Sequence, residues 1–211
     1  MTLRIVRLPG VTAPAEWPSY TVPGAISLSD DFTGPAASLL GRQSDAGKGG
    51  GSFTWIGTEG SNALRTTGNG LAISGTPGNH FLGVKLGGAN YEFRAKIDAL
   101  PVGFNLYLDA RRAAVATSAG YRAQITPTGE VSLVFRDAAL VATTLFTAPT
   151  PIGAGSTVGI RTRGALISLV INGVVVGTVT NSSLPGPGYT GIATVSTMTA
   201  VTIDWIEIRE W

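Results

Sequence analysis

The groups in this chain most able to do chemistry are its carboxylates, its one histidine and its scattered arginines. Hydrolysis of a glycosidic bond takes two carboxyl groups flanking that bond on one face, about 5 to 9.5 Å apart. The nearest arrangement is Thr202-Ile203-Asp204-Trp205-Ile206-Glu207. Asp204 and Glu207 are three positions apart, and a regular strand sends residues at odd separation to opposite faces. A β-bulge would bring them together, but nothing in the sequence announces one. No catalytic residue is assigned, and a non-enzymatic chain is expected.

Other reactive constellations are missing. With a single histidine, His80, a His-rich metal site is impossible and a triad could use only that residue. His80 follows Gly78-Asn79, a turn composition, and reads as a solvated loop residue. Gly47, Gly49, Gly50 and Gly51 surround Lys48 without the P-loop spacing, so a flexible loop is expected. Asn181-Ser182-Ser183 fits a glycosylation sequon but reads as chance, because the first residues lack the apolar stretch of an export signal. There is no cysteine, which excludes disulfides and thiolate sites.

Recognition chemistry is better represented. In Phe104 to Arg111 the even positions are apolar, and the odd positions present Asn105, Tyr107, Asp109 and Arg111 on the other face. In Tyr121 to Ile125 the outward residues are Arg122 and Gln124; in Val131 to Asp137 they include Ser132 and Arg136. If these three strands are neighbours, Asn105, Tyr107, Asp109, Arg111, Arg122, Gln124 and Arg136 form one polar patch with an aromatic. Planar polar groups beside an aromatic suit a sugar, which offers hydroxyls and an apolar ring face. The same patch could be a solvated sheet face, or a subunit contact, since arginine is enriched at interfaces.

The elements that must position these residues are strands. Short β-rich runs alternate with Gly, Pro, Asn and Asp turns from Ile26 onward, among them Ser52 to Ile56, Phe81 to Lys85, Tyr91 to Asp98, Gly103 to Arg111, Tyr121 to Thr126, Val131 to Asp137, Leu140 to Phe146, Thr157 to Arg163 and Val201 to Arg209. The Asn172-Gly173 pair between Ile167 to Ile171 and Val174 to Val179 predicts a tight hairpin. The one helical candidate is Ala36 to Leu40. The reading is an all-β sandwich, residues 28–211, preceded by an extended arm over residues 1–27. Pro9, Pro14, Pro18 and Pro23 recur along that arm, with Trp17 and Tyr20 between them as anchoring or oligomer contacts.

Composition narrows the partners. Charged residues make up 13% of the 211, against about 25% in an average soluble domain, which fits a surface partly covered by neighbouring copies. The net charge is +2, with no basic block interleaved with aromatics, so no nucleic-acid partner is expected. No apolar run approaches the roughly 20 residues that span a bilayer, so no membrane insertion is expected. No cofactor and no metal are assigned.

Several segments together resemble a family. Ser29-Asp30-Asp31-Phe32-Thr33-Gly34, Leu39-Leu40-Gly41-Arg42 and Gly51-Ser52-Phe53-Thr54-Trp55 are similar to the entry of concanavalin A-like (laminin-G/lectin-glucanase-like) modules in phage virion and minor tail proteins. Gly120 to Ile125, Gly129 to Leu133, the Asn172-Gly173 hairpin, Gly188 to Ile192 and Val201 to Ile208 continue the similarity, which spans roughly Ile26 to Trp211. The resemblance implies a two-sheet antiparallel jelly roll whose first and last strands pair. It also implies a lectin-like, non-enzymatic virion component, a minor tail or other surface protein assembled in the host cytoplasm. Its partners would be other virion proteins, further copies in a homo-oligomer, and a host-surface glycan. The alternatives are a capsid decoration protein without glycan binding, and a glycan-degrading enzyme. The glucanase branch of the family takes its acids from one strand at even spacing, and here Thr202 stands two before Asp204. Pairing of the first and last strands would also bring Asp30, Asp31 and Asp204 near enough to hold a calcium ion, although Asp at strand ends and in turns needs no ion.

Overall fold

The computed structural model describes residues 26–32, 38–44, 53–57, 64–66, 70–73, 79–116, 118–195 and 202–210. The arm, with Trp17 and Tyr20, and the loop containing Lys48 lie outside them. The described residues form two antiparallel sheets stacked face to face, with no helix among them. Ser38 to Leu40, the described part of the expected helix, is a bridge and a turn.

The first sheet contains β1 (Ile26–Asp30), β3 (Leu64–Thr66), β4 (Leu71–Ile73), β6 (Tyr91–Ile97), β11 (Ser156–Arg163), β12 (Leu166–Ile171), β13 (Val174–Thr180) and β15 (Thr202–Glu210). Its order is β13-β12-β11-β6-β15-β4-β3, and β1 also pairs with β15. The second sheet contains β2 (Ile56–Gly57), β5 (Asn79–Lys85), β7 (Leu106–Arg112), β8 (Gly120–Ile125), β9 (Val131–Arg136), β10 (Ala142–Thr147) and β14 (Tyr189–Val195), in the order β10-β9-β8-β7-β14-β5-β2. The first and last strands pair antiparallel, Leu28 opposite Ile208 and Asp30 opposite Ile206, as the jelly roll requires. The expected hairpin is present: Asn172 has φ 51° and Gly173 φ 78°, both in the left-handed region that the tight turn demands.

Alternation supplies the core. Tyr91, Phe93, Ala95 and Ile97 of β6 face Leu106, Leu108 and Ala110 of β7 and Tyr121, Ala123 and Ile125 of β8 across the sandwich, all fully buried. At the β1 edge, Trp55 packs on Phe32 and Phe53 with ring centroids 6.0 and 5.0 Å away. Buried Asp30 ties that corner: it accepts from the Trp55 indole at 2.6 Å and from the Phe32 backbone at 2.8 Å, and pairs with Arg42 at 3.4 Å. Asp204 instead pairs with Lys96 at 2.7 Å on the outside of the first sheet, so Asp30 and Asp204 face different surroundings.

Two expectations fail because strands carry bulges. In β7, Ala110 and Arg111 together oppose Thr190, with Tyr189 across from Arg112 and Gly191 across from Asp109. Arg111 takes φ 47° there, and its side chain turns into the protein instead of outward, leaving it 1% exposed. In β15 the register shifts between Ile203 and Trp205, so Asp204 and Glu207 both reach the outer face, the one toward Lys96 and the other toward Arg94. A third correction concerns His80, which is a buried residue of β5 opposite Thr194, not a loop residue.

Candidate functional site

The outer face of the second sheet gathers most of the expected patch. β7, β8 and β9 are consecutive neighbours, with Tyr107 opposite Gln124, Asp109 opposite Arg122, and Gln124 opposite Ser132. Asn105 lies just before β7 and is half-buried, so it flanks the face without belonging to the strand. The β7 bulge exchanges one arginine for another: Arg111 leaves the face and Arg112 joins it.

Asp109 is the hub. Its Oδ2 accepts from Arg112 Nη1 at 2.5 Å and from Arg122 Nη2 at 3.1 Å. Each guanidinium also lies over a ring, Arg112 4.2 Å from the Phe81 centroid and Arg122 4.4 Å from that of Tyr107. One ring face of Tyr107 is thereby occupied, so the aromatic expected beside the polar patch supports a cation. The segment after β7 closes over the cluster. Arg112 donates to the carbonyls of Ala114, Val115 and Ala116, and Arg136 donates through Nε and Nη2 to that of Ser118, at 3.0 and 2.7 Å. Val115 and Tyr189 pack against Phe81, Tyr107 and Ala193.

Electrostatically the face is lopsided. Arg112 and Arg122 both pair with Asp109, and Arg136, which feels the same carboxylate, makes no ion pair among the described residues. Burial, and to a lesser degree the neighbouring Arg122 cation, lower the pKa of Arg136. Asp109 Oδ1 and Arg122 Nε are buried without a hydrogen-bond partner. Gln124 and Arg136 are half-buried and form the open rim.

Arg111 serves a different purpose. Its guanidinium donates to the carbonyls of Ala89, Gly164 and Leu184 at 2.8 to 3.1 Å, closing one end of the sandwich. Its backbone N–H, released from the ladder by the bulge, donates to the Tyr91 hydroxyl at 2.7 Å.

The outer face of the first sheet carries a second constellation, of which the sequence singled out only Asp204 and Glu207. Arg161 pairs with Glu92 at 2.7 Å, Arg94 donates through Nε to Glu207 at 2.7 Å, and Arg209 reaches Glu207 at 3.2 Å. Arg94 also lies 5.5 Å from the ring of Trp205. Opposite charges alternate here, so each carboxylate has a cation beside it. The hydrogen bond from Lys96 to Asp204 raises the lysine pKa. The missed signal was in the core residues: Ile203, Ile206 and Ile208 are all buried, and a regular strand cannot place 203 and 206 on one face.

No family model matches the chain, and no curated protein matches it in sequence. Solved structures do match its fold. The Bacillus licheniformis β-glucanase superposes with a TM-score of 0.56 at 14% identity, covering 89% of this chain and 99% of that one. LamAcat from Zobellia galactanivorans gives 0.56 at 12% identity over 88% and 98%. The Crh5 transglycosylase gives 0.57 at 13% over 89% and 86%. These likenesses overturn the expectation of a non-enzymatic chain, since the architecture is shared nearly end to end with proteins named for glycan chemistry. At such identities they establish the fold and leave the residues to decide the use. The chain has the concanavalin A-like jelly-roll fold that glucanases also have.

Proposed function

We propose that this chain contacts glycans through the outer face of its second sheet. The observation that carries the reading is the convergence of Gln124, Arg122, Arg136 and Asp109 from three adjacent strands onto one face. Amide, guanidinium and carboxylate groups supply planar donors and acceptors in fixed positions, as sugar hydroxyls require. The fold likeness to glycan-active proteins supports the same substrate class. A single shallow face binds sugars weakly, and display of several copies would multiply its effect. A phage virion surface is the setting we infer, on the segment resemblance described above.

A second reading, glycan turnover, is favoured by the β15 bulge, which gives Asp204 and Glu207 a common face. One experiment addresses both. Full-length protein is run through gels containing laminarin, lichenan, xylan or polygalacturonate, and reducing ends are measured after incubation with each polymer. Retardation by at least one polymer, reduced in Gln124→Ala, is the expected result. No retardation by any of them overturns the binding reading. Release of reducing ends that disappears in Glu207→Gln, with retardation unchanged, establishes turnover at the other face.

A further inference from the structure

The glycan reading leaves one feature of the second sheet unexplained, which is its surplus of positive charge. Three guanidiniums, Arg112, Arg122 and Arg136, crowd one carboxylate on a largely buried sheet face. Arg112 is saturated, because Asp109, three backbone carbonyls and the Phe81 ring take up its fork. The other two are not. Arg122 uses Nη2 on Asp109, and its Nε is buried without a partner although the residue is only 8% exposed. Arg136 spends Nε and Nη2 on the neutral Ser118 carbonyl, and no ion pair among the described residues neutralises it.

Position brings these two together. Arg122 is opposite Val134 in the β8–β9 register, and Arg136 is two residues further along the same face, so they are diagonal neighbours. Side chains in that relation are about 7 to 8 Å apart at their roots, within bridging distance for one oxyanion. Gly120 is directly across from Arg136 and puts no side chain between the strands. Gln124 follows Arg122 on the same face and offers an amide to a neighbouring hydroxyl. Arg122 shares its single carboxylate with Arg112, Arg136 is half-buried and held only by a neutral carbonyl, and a planar oxyanion is the group a guanidinium fork matches.

We infer that this face takes an acidic glycan, its uronate carboxylate or sulfate ester bridging Arg122 and Arg136 while Gln124 addresses an adjacent hydroxyl. This rests on the proposed glycan contact and names its substrate class. Neutral glucans would leave the two cations as they are, so they should bind less well.

The test measures affinity of the full chain by calorimetry for polygalacturonate, its methyl ester, dextran sulfate, laminarin and polyglutamate. The wild type, Arg136→Gln, Arg136→Lys and the first-sheet variant Arg163→Gln are compared after matching thermal unfolding profiles. The expected result is binding to polygalacturonate or dextran sulfate that drops roughly tenfold or more in Arg136→Gln, in proportion to one lost charge-assisted contact. Arg136→Lys should recover part of the loss, and Arg163→Gln should show none. Preference for polygalacturonate identifies a carboxylate, and preference for dextran sulfate a sulfate ester. If laminarin and the methyl ester bind as well and Arg136→Gln has no effect, the acidic preference is overturned while glycan contact stands. Equal binding to polyglutamate, weakened alike by Arg163→Gln, would reduce the effect to general charge attraction and also overturn it. Absence of binding to every carbohydrate removes both readings.

Discussion

Adjacent arginines in β7 do opposite work. Arg112 stays on the sheet surface and meets Asp109, whereas Arg111 turns inward and ties three loops by their carbonyls. Replacing Arg111 by methionine keeps most of its apolar stem but strips the carbonyls of Ala89, Gly164 and Leu184 of that donor. The Ala89 carbonyl keeps the Thr162 hydroxyl at 2.6 Å and Gly164 is open to water, so the penalty falls mainly at the part-buried Leu184 carbonyl, and an acceptor left without a donor costs about 1 to 3 kcal/mol. Arg111→Met should therefore lower the urea unfolding free energy by about 1 to 3 kcal/mol, with glycan affinity of the folded fraction unchanged. A loss of affinity with little loss of stability would place Arg111 back on the recognition face. The sequence made this swap partly legible, since strict alternation through Ala110-Arg111-Arg112 must send one arginine inward. What it did not carry was the choice between them, because φ 47° at a non-glycine residue has no local signature.

At the scale of elements, the bulge in β7 is joined to β6 of the opposite sheet through the Tyr91 hydroxyl. Burial pushes the Tyr91 phenol from 10.0 to about 12, partly offset by its hydrogen bond from the Arg111 backbone. The neutral phenol is thus favoured in the folded state. Its contribution to stability is complete below the unfolded value near 10 and is lost as pH rises toward 12. Burial raises the Tyr121 phenol as well, so two core tyrosines resist ionisation together. Unfolding free energy should be level through neutral pH and fall above about pH 10. Tyr91→Phe should start lower, having lost the acceptor for Arg111, and fall less steeply. Equal slopes in the two proteins would show that Tyr91 ionises freely in the fold. Elements were the most readable level of this molecule: the hairpin, the three adjacent strands and the pairing of first with last strand follow from alternation, turn residues and segment resemblance. Bulges were less readable because each adds one residue without a glycine or proline to announce it. In β15 the spacing of Ile203, Ile206 and Ile208 held the clue, and it sits in the core pattern instead of among the acids.

For the whole molecule, the balance of charge distinguishes the two outer faces. The first sheet sets Arg161 beside Glu92 and both Arg94 and Arg209 beside Glu207, so each of these cations has a carboxylate partner although Arg209 Nε is buried without a hydrogen bond among the described residues. The second concentrates cations around one carboxylate and so asks for a partner. Avidity would then depend on how many copies are displayed, and composition points to display: only 13% of residues are charged, and residues 1–25 include Ile5, Leu8, Trp17 and Tyr20 among four prolines. Prolines withhold backbone donors and favour extended backbone, so such a composition suits an arm. Docking against neighbouring copies is the use we propose for it. Since β1 begins at Ile26, a truncation that keeps the first strand removes residues 1–25. The full chain should scatter light as an oligomer and the truncated chain as a monomer, with the same β-rich circular dichroism. Immobilised acidic glycan should then retain the full chain longer than the truncated one, while calorimetry on a short acidic oligosaccharide gives both the same affinity per site. Identical masses would remove the arm from assembly; identical masses with unequal affinity per site would mean that residues 1–25 contribute to the recognition face itself.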